Sequence, residues 1–258
     1  MTFRRLSISF AISIFVLYAG LVISLFYFWK GSLFVETLLS ERTLFSIKLS
    51  LITATVTTLL SLIIALPSAY ALSRFDFKGK HIIDTTLELP MIVSPAALGA
   101  MLLIFFSTSV GMWIQDNFVP FVFSPYGIIL AQFITTVGIA TRLVKSAMDE
   151  IPQRYEDVAI SLGVSPFKAF LTITLPLSIK GILAASILTW AKAIGEFGAT
   201  IMLAGTMAMK TETLPIAIFM RLSMADIEGT VTLIIVLITI GITTLYSVRL
   251  LTRRALNR

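Results

Sequence analysis

The sequence lacks the residues on which several kinds of protein chemistry depend. No cysteine occurs among its 258 residues, which excludes disulfides and thiolate metal sites. Its one histidine, His81, stands beside Lys80, and we interpret it as a solvated loop residue rather than a metal ligand. The sequence contains no Gly-x-x-x-x-Gly-Lys phosphate loop and no Ser/His/Asp arrangement. We therefore predict no metal site, no catalytic residue and no enzymatic activity, including ATP hydrolysis by a phosphate loop.

Charge is also scarce. Charged residues make up 13% of the chain, about half the share in an ordinary soluble domain, whereas hydrophobic residues make up 57%. This balance predicts a polytopic membrane protein whose helices face a lipid bilayer. The net charge of +6 does not indicate a nucleic-acid partner, because the basic residues lie at the ends of apolar runs and are not interleaved with aromatic residues.

Charge-poor runs predict one transmembrane domain over residues 1–258, with all-α structure. Each run has about twenty residues, enough to cross the hydrocarbon of a bilayer. The first run has no small-residue cleavage site, so we expect a retained helix rather than a signal peptide. Residues 31–48 could form either an external loop or an interfacial helix. The predicted spans are about 6–29, 49–73, 89–108, 124–141, 181–204 and 229–248.

The basic residues predict the orientation. Most of the 20 lysines and arginines lie near the ends of the spans that share a side with both termini. Because cytoplasmic loops are enriched in lysine and arginine, we expect both termini and the loop of about residues 146–178 to face the cytoplasm.

This loop carries the pattern of a helix, a glycine turn and a second helix. The first helix is predicted from an apolar stripe at helical spacing beside two acids, and Gly163 is placed to end it in a left-handed conformation. Ser165 and Pro166 then read as the cap and first residue of the second helix, and Leu175 with Pro176 is expected to stop it. The stripe is Tyr155, Val158, Ala159 and Leu162, and the acids are Glu156 and Asp157. The exposed apolar residues of such a hairpin favour an element that docks on a partner protein. The alternative is an ordinary helical hairpin between two spans.

The fifth span contains two charged residues, Lys192 and Glu196. Charges inside a span are costly and are usually functional or paired. Four residues apart, these two lie on one helix face, where they can neutralise each other. The same face could also line a translocation path, and the two interpretations are compatible. Gly195 and Gly198 would allow another helix to approach closely.

The loop fits, residue by residue, the pattern Glu-Ala-Ala, three residues, Gly, nine residues, Ile, one residue, Leu-Pro. Asp157 stands at the acidic position, and Val158 departs from the first alanine; Ala159, Gly163 and Ile173 match. Leu175 and Pro176 complete the pattern at its end. The loop thus resembles the one by which permease subunits of bacterial and archaeal ABC importers dock on their ATPase partners.

Further segments narrow the resemblance. The run from Gly195 to Thr200, with Met202 to Gly205 and Thr211 to Pro215 after it, is similar to permeases of molybdate, tungstate and sulfate importers. Residues 65–72 and 89–95 add to this resemblance. The compact length favours molybdate or tungstate, and sulfate or thiosulfate remains the alternative substrate.

The resemblance implies a type I ABC importer permease fold with six transmembrane helices and cytoplasmic coupling helices. It also implies a homodimer, two ATP-binding subunits that carry ATP and Mg, an external substrate-binding protein, and no cofactor on this chain. An ion-coupled secondary transporter or a channel would not need the docking loop. The implied ATPase-docking residues are Tyr155, Glu156, Asp157, Val158, Ala159, Leu162, Gly163, Ser165 and Phe167. The implied residues of the path or gate are Lys192, Gly195, Glu196, Phe197, Gly198 and Thr200.

Overall fold

All the regular secondary structure in the described part of the chain is helical. This computed structural model describes residues 2–29 and 31–256, so the first and last residues of the predicted domain lie outside it. A 3-10 turn, Phe26–Phe28, follows the first helix, and a π-helical segment, Phe170–Thr174, joins the tenth to the eleventh. The predicted all-α class is confirmed. The α-helices are α1 (Thr2–Leu25), α2 (Gly31–Leu39), α3 (Glu41–Arg74), α4 (Lys80–Thr86), α5 (Leu89–Ile92), α6 (Pro95–Phe106), α7 (Ser109–Asn117), α8 (Pro125–Asp149), α9 (Arg154–Ser161), α10 (Pro166–Ala169), α11 (Leu175–Ile194), α12 (Gly198–Ala204), α13 (Leu214–Ser223) and α14 (Ile227–Leu256).

Within the described residues, 5 helical stretches are long and apolar enough to cross a membrane. A sixth candidate consists of α4 and α5 followed by α6, and it is bent by 110°. The continuous stretches are Phe3–Phe28, Glu41–Arg74, Pro125–Asp149, Pro166–Ile194 and Ile227–Tyr246. Each continuous stretch overlaps one predicted span, and the bent candidate overlaps the third.

The bend corrects the third predicted span. Residues 89–108 were expected to form one helix, but Val93 has an extended backbone and interrupts it. Ser94 then caps α6 by accepting a hydrogen bond from the backbone N–H of Ala97 at 3.3 Å, and Pro95 is the first residue of that helix. A serine cap followed by proline is a strong helix start. Here it outweighs the uninterrupted hydrophobicity of the segment.

Other helix boundaries also differ from the expected spans. Residues 31–48 form α2 and the first turns of α3, and Ser40 caps α3, so this segment is helical rather than a loop. The eighth and fourteenth helices continue past residues 141 and 248. The fifth span was expected to run over 181–204, yet its helix begins upstream and ends at Ile194. Hydrophobicity marks only the apolar middle of a helix, because its ends continue into polar surroundings.

Helices α3, α8 and α11 pack together as the core. The buried residues at their contact are mostly alanines, including Ala65 and Ala69 on α3, Ala140 on α8 and Ala185 on α11. Small side chains let the backbones of membrane helices approach closely, which increases van der Waals contact where no hydrophobic effect drives association.

A seam of buried polar side chains also joins α3 to α8. The Thr57 hydroxyl donates to Gln132 Oε1 at 3.0 Å, and Gln132 Nε2 donates to Thr53 Oγ1 at 3.4 Å. The hydroxyls of Ser61 and Thr136 lie 3.2 Å apart. Such bonds satisfy polar groups that lipid cannot. They fix the two helices against each other, and the end of α3 at Arg74 and the end of α8 at Asp149 carry the site described below.

Close backbone approach at Gly138 gives a testable prediction. A Cβ added there would lie 2.4 Å from the carbonyl oxygen of Leu87, whereas one added at Gly241 of α14 has no atom within 4 Å. We expect Gly138→Ala to destabilise the purified protein by about 1–3 kcal/mol, because a backbone atom must move. Gly241→Ala should be neutral or slightly stabilising, since alanine favours helix. Thermal unfolding in detergent measures both, and equal midpoints for the two variants would contradict this packing.

Candidate functional site

A short helical hairpin, formed by α9 and α10, lies between α8 and α11. Gly163 makes its turn with φ of +88°, the left-handed conformation expected from the sequence. The N–H of Val164 bonds to the carbonyl of Ala159 at 3.1 Å, and the N–H of Gly163 bonds to that of Ile160 at 2.9 Å. These two bonds are the Schellman pattern that ends a helix.

The second helix of the hairpin begins as predicted. The Ser165 hydroxyl accepts from the backbone N–H of Lys168 at 3.4 Å, and Pro166 follows the cap. Proline is favourable there because the first helical N–H has no partner within the helix. Local sequence therefore determines both sides of the turn.

The hairpin exposes large apolar side chains. Leu162 at the end of α9 is 81% exposed and Phe167 on α10 is 71% exposed. Tyr155 and Val158 are also exposed, and Ala159 is half-buried between them. These predicted docking residues thus form one apolar surface that is open to a partner.

Glu156 is the exception, because it points into the protein. Its carboxylate pairs with the guanidinium of Arg74, at the end of α3, with Nε to Oε1 at 2.7 Å. Both side chains are about 5% exposed. Arg74 Nη2 also donates to the carbonyl oxygens of Met148 at 3.0 Å and Ile151 at 2.9 Å, where α8 ends. One buried arginine therefore connects three helices.

Two hydroxyls complete the cluster around Glu156. Tyr70 Oη donates to Glu156 Oε2 at 2.7 Å, and the Thr174 hydroxyl donates to Oε1. The ring of Tyr70 packs on that of Phe170, with centroids 4.6 Å apart. Since Phe170 and Thr174 belong to the π-helical segment, the cluster also holds the entry to α11. We call Tyr70, Arg74, Glu156 and Thr174 the anchor cluster.

The anchor cluster keeps Glu156 ionised. Burial alone would raise the pKa of Glu156, but hydrogen bonds from Thr174, Tyr70 and Arg74, together with the charge of Arg74, outweigh burial and lower it below its ordinary value. A carboxyl whose pKa falls on folding stabilises the fold above its unfolded pKa. That contribution is lost only as the pH drops through the lowered folded value. The pair is therefore intact at neutral pH.

Asp157, which stands at the acidic position of the sequence pattern, is exposed. Its neighbour Glu156 makes the buried contacts instead. Arg74, Tyr70 and Thr174, which lie on other elements, were not among the predicted site residues. The sequence did offer one signal for Thr174, because this residue stands directly before the Leu-Pro pair of the loop pattern.

The expected stop at Leu175 and Pro176 is wrong. The chain passes from α10 through the π-helical segment into α11 without leaving a helical path, and Pro176 is near the start of α11. The second helix of the hairpin is thus continuous with the helix that carries Lys192.

The structure brings Lys192 and Glu196 together at the end of α11. Lys192 Nζ lies 3.5 Å from Glu196 Oε2, and their side chains are 43% and 1% exposed. Glu196 Oε1 also accepts from the backbone N–H of Ala199 at 3.0 Å. Glu196 therefore satisfies the start of α12 as well as the lysine, while Lys192 remains accessible.

The other residues predicted for the path surround this break in the helix. Gly195 ends α11, and Phe197 packs its ring on that of Phe219 with centroids 5.1 Å apart. Gly198 does allow a close approach, since an added Cβ would lie 2.9 Å from the backbone nitrogen of Ala96 on α6. Gly195 has no such neighbour beyond its own helix. Thr200 is buried, and its hydroxyl has no hydrogen-bond partner among the described residues.

A third buried carboxylate, that of Glu212, follows this region and was not among the predicted site residues. Glu212, 1% exposed, accepts two hydrogen bonds from Arg42 at the start of α3, both 2.7 Å long. The backbone N–H of Leu214 donates to Ser50 Oγ at 2.7 Å. These contacts hold the segment between α12 and α13 along the first turns of α3.

Two adjacent acids provide a matched test of the anchor cluster. We expect Glu156→Gln to destabilise the fold by on the order of 3 kcal/mol, because the Arg74 guanidinium is left buried without a counter-charge. Asp157→Asn, on the exposed side of the same helix, should change stability by less than about 0.5 kcal/mol. Thermal unfolding and protease cleavage of the hairpin measure the difference. The same sensitivity in both variants would show that the buried pair does not hold α9.

Comparison with known proteins agrees with this geometry. The family described as "Binding-protein-dependent transport system inner membrane component" matches residues 57–257. The chain is 34% identical over 177 residues to the molybdenum transport system permease protein ModB of Haemophilus influenzae, covering 67% of this chain and 77% of that protein.

Two further relatives differ in the substrate that their names state. The molybdate/tungstate transport system permease protein WtpB of Thermococcus kodakarensis is 33% identical over 170 residues, covering 66% of this chain and 64% of that protein. The sulfate transport system permease protein CysT of Escherichia coli is 27% identical over 221 residues, covering 85% and 80%.

A solved structure shares the fold. A chain of the bacterial alginate ABC transporter, crystallised in complex with an alginate pentasaccharide-bound periplasmic protein, superposes with a TM-score of 0.78. The identity is 17%, and the match covers 98% of this chain and 95% of that chain. The likeness shows the type I fold of ABC importer permeases, as the resemblance implied. The family match and the shared fold place this chain among multi-pass inner-membrane transport subunits. The chain belongs to the family of binding-protein-dependent transport system inner membrane components.

Proposed function

We propose that this chain is the permease subunit of an ATP-driven ABC importer for molybdate or tungstate. The observation that carries the proposal is the docking hairpin, whose apolar residues are exposed while Glu156 ties it to the ends of the membrane helices. An exposed apolar patch of this kind marks a protein contact. A hairpin fixed to the core can transmit the displacement of whatever binds it.

The proposed partners follow from the same contact. Two copies of the chain would surround a central path, and each hairpin would dock one ATP-binding subunit that holds ATP and Mg. ATP binding would draw the ATPases together and turn the path outward, and hydrolysis would reset it. An external binding protein would deliver the substrate, as supported by the periplasmic protein named with the alginate transporter. This chain would make and break no covalent bond.

The proposed substrate rests on the relatives. Those named for molybdenum and for molybdate/tungstate share more identity with this chain than the one named for sulfate. All three substrates are tetrahedral oxyanions, so sulfate is the second candidate. Direct competition between tungstate and sulfate for uptake separates the two.

The proposed orientation places both termini and the hairpin in the cytoplasm. The basic residues Arg74, Arg142, Lys145 and Arg154 surround the hairpin end of the molecule, in agreement with enrichment of lysine and arginine on the cytoplasmic side. ATP is available on that side.

The proposed path follows the break between α11 and α12. Lys192 is accessible there, and a cation beside the path would attract an oxyanion. Its contact with Glu196 moderates that attraction, which allows release. Gly195, Phe197, Gly198 and Thr200 would shape the gate around this position.

The turn residue tests docking. Gly163 and Gly79 have φ of +88° and +90°, and an added Cβ at either would meet nothing within 4 Å. Valine at either position therefore introduces the same kind of backbone strain, on the order of 1 kcal/mol or more, while its Cβ has open space at both positions. We expect Gly163→Val to weaken ATPase co-purification and uptake, and Gly79→Val to preserve ATPase binding. Normal co-purification and uptake with Gly163→Val would refute the assignment of the hairpin.

The intramembrane pair tests the path. Lys192→Met should lower expression, because Glu196 is left buried without its counter-charge, and adding Glu196→Gln should restore expression. We expect the double variant to lose at least about 90% of oxyanion uptake, whereas Lys180→Met, on the exposed cytoplasmic end of α11, should keep it. Expression and uptake are measured for each variant. Full uptake by the double variant would exclude a path role, and no recovery of expression would exclude the pairing.

A further inference from the structure

Pro176 lies inside a helical stretch that it should interrupt. The stretch Pro166–Ile194 runs continuously through α10, the π-helical segment and α11. Proline has no N–H to donate, and its ring conflicts in an α-helix with the carbonyl of the residue four positions earlier. That residue is Thr172, in the middle of the π-helical segment. The disturbance expected from Pro176 and the irregular turn therefore coincide.

The π-helical segment resolves the conflict. The N–H of Leu175 donates to the carbonyl of Phe170, five residues earlier instead of four. This wider turn displaces the carbonyls that a proline ring would meet, so the helix continues past Pro176. It also takes up one residue more than an α-helical turn. If the segment reverted to α geometry, the helix on one side would rotate by about 100° relative to the other.

The side chains of the π-helical segment depend on that rotation. Thr174 donates to the carboxylate of Glu156, and Phe170 packs on Tyr70 at 4.6 Å between ring centroids. Both contacts are made to the anchor cluster by residues at opposite ends of the segment. A rotation of about 100° within the segment would withdraw one of the two side chains from the cluster. The π register is thus the one in which α10 and α11 are both fixed to α3 and α9.

We propose that Pro176 is a positioning residue that holds the π register and so fixes the rotation of α10 relative to α11. The inference rests on the proposed function of the hairpin as the ATPase dock. With the rotation fixed, a displacement of the hairpin turns α11 and moves Lys192 and the break that follows it. Without Pro176, the segment exchanges between π and α geometry, and this local exchange absorbs the displacement.

The register can be measured without any partner. The chain has no cysteine, so Lys168→Cys on α10 and Leu188→Cys on α11, both at exposed positions, provide a pair of spin-label sites. We expect one label-to-label distance in the otherwise unchanged chain and a second distance population when Pro176→Ala is added. Pro166→Ala is the matched control, because that proline begins α10 and blocks no helical hydrogen bond.

The effect on coupling is measured in the complete importer, as oxyanion taken up per ATP hydrolysed. We expect Pro176→Ala to lower this ratio at least fivefold with ATPase association retained, and Pro166→Ala to leave it unchanged. Thr174→Val removes the hydroxyl that binds Glu156 at nearly constant volume and should lower the ratio similarly. Thr174→Ser retains the hydroxyl and should keep the uptake ratio near that of the unmodified chain. If only the volume of this side chain mattered, the smaller serine would lower the ratio.

The outcomes separate this inference from the proposed function. A single label distance in Pro176→Ala, or a second distance with an unchanged uptake ratio, would overturn the role of Pro176 while leaving ATPase docking intact. Failure of the unmodified chain to bind an ATPase would instead refute the proposed function, whatever the label distances. A second distance population together with a fivefold loss of coupling supports both.

Discussion

The buried ion pair between Arg74 and Glu156 is the contact on which the hairpin end of the structure depends. Arg74 also binds the carbonyls of Met148 in α8 and Ile151 just after it, and Glu156 also binds the π-helical segment that leads into α11. The ends of α3 and α8 and the entry to α11 therefore converge on one short helix, α9. Replacing such a pair by apolar residues need not destabilise a protein, so its value here lies in specificity of position. A hairpin held at one position can pass on a displacement, whereas a loosely attached loop would absorb it.

The membrane part combines rigid packing with two interruptions. The buried alanines and the hydroxyl seam between α3 and α8 make a firm core, since polar groups there have no other partners in lipid. The interruptions occur before α6 and between α11 and α12. Helices α6 and α12 pack on each other, and a Cβ added at Gly99 of α6 would lie 2.6 Å from the carbonyl oxygen of Ala199 on α12. Irregular backbone at membrane depth needs protein partners. Glu196 supplies one by accepting the N–H of Ala199.

Sequence reasoning succeeded where the signal was local. Gly163, Ser165 and Pro166 determine a turn and a helix start through their own backbone preferences, and the loop pattern indicated the family. It failed where distant residues decide the outcome. Arg74 and Glu156 are 82 positions apart, so no spacing rule links them. Pro176 was interpreted as a helix end, whereas a π turn accommodates it within the helix. That turn occurs together with contacts to Tyr70 and Glu156, which only the folded chain brings close. The Ser94 cap before Pro95 is instead a local signal, of the same kind as Ser165 and Pro166, and it was overlooked because the run around it is apolar.

We propose that ATP hydrolysis by a docked partner drives oxyanion movement through this chain. The most direct measurement is tungstate accumulation in proteoliposomes that contain the permease with its ATPase and binding protein, with proton and sodium gradients collapsed by ionophores. We expect accumulation that requires ATP on the side of the hairpin and that excess molybdate inhibits more strongly than excess sulfate. Accumulation without ATP, driven by an imposed ion gradient, would contradict it and identify an ion-coupled transporter instead.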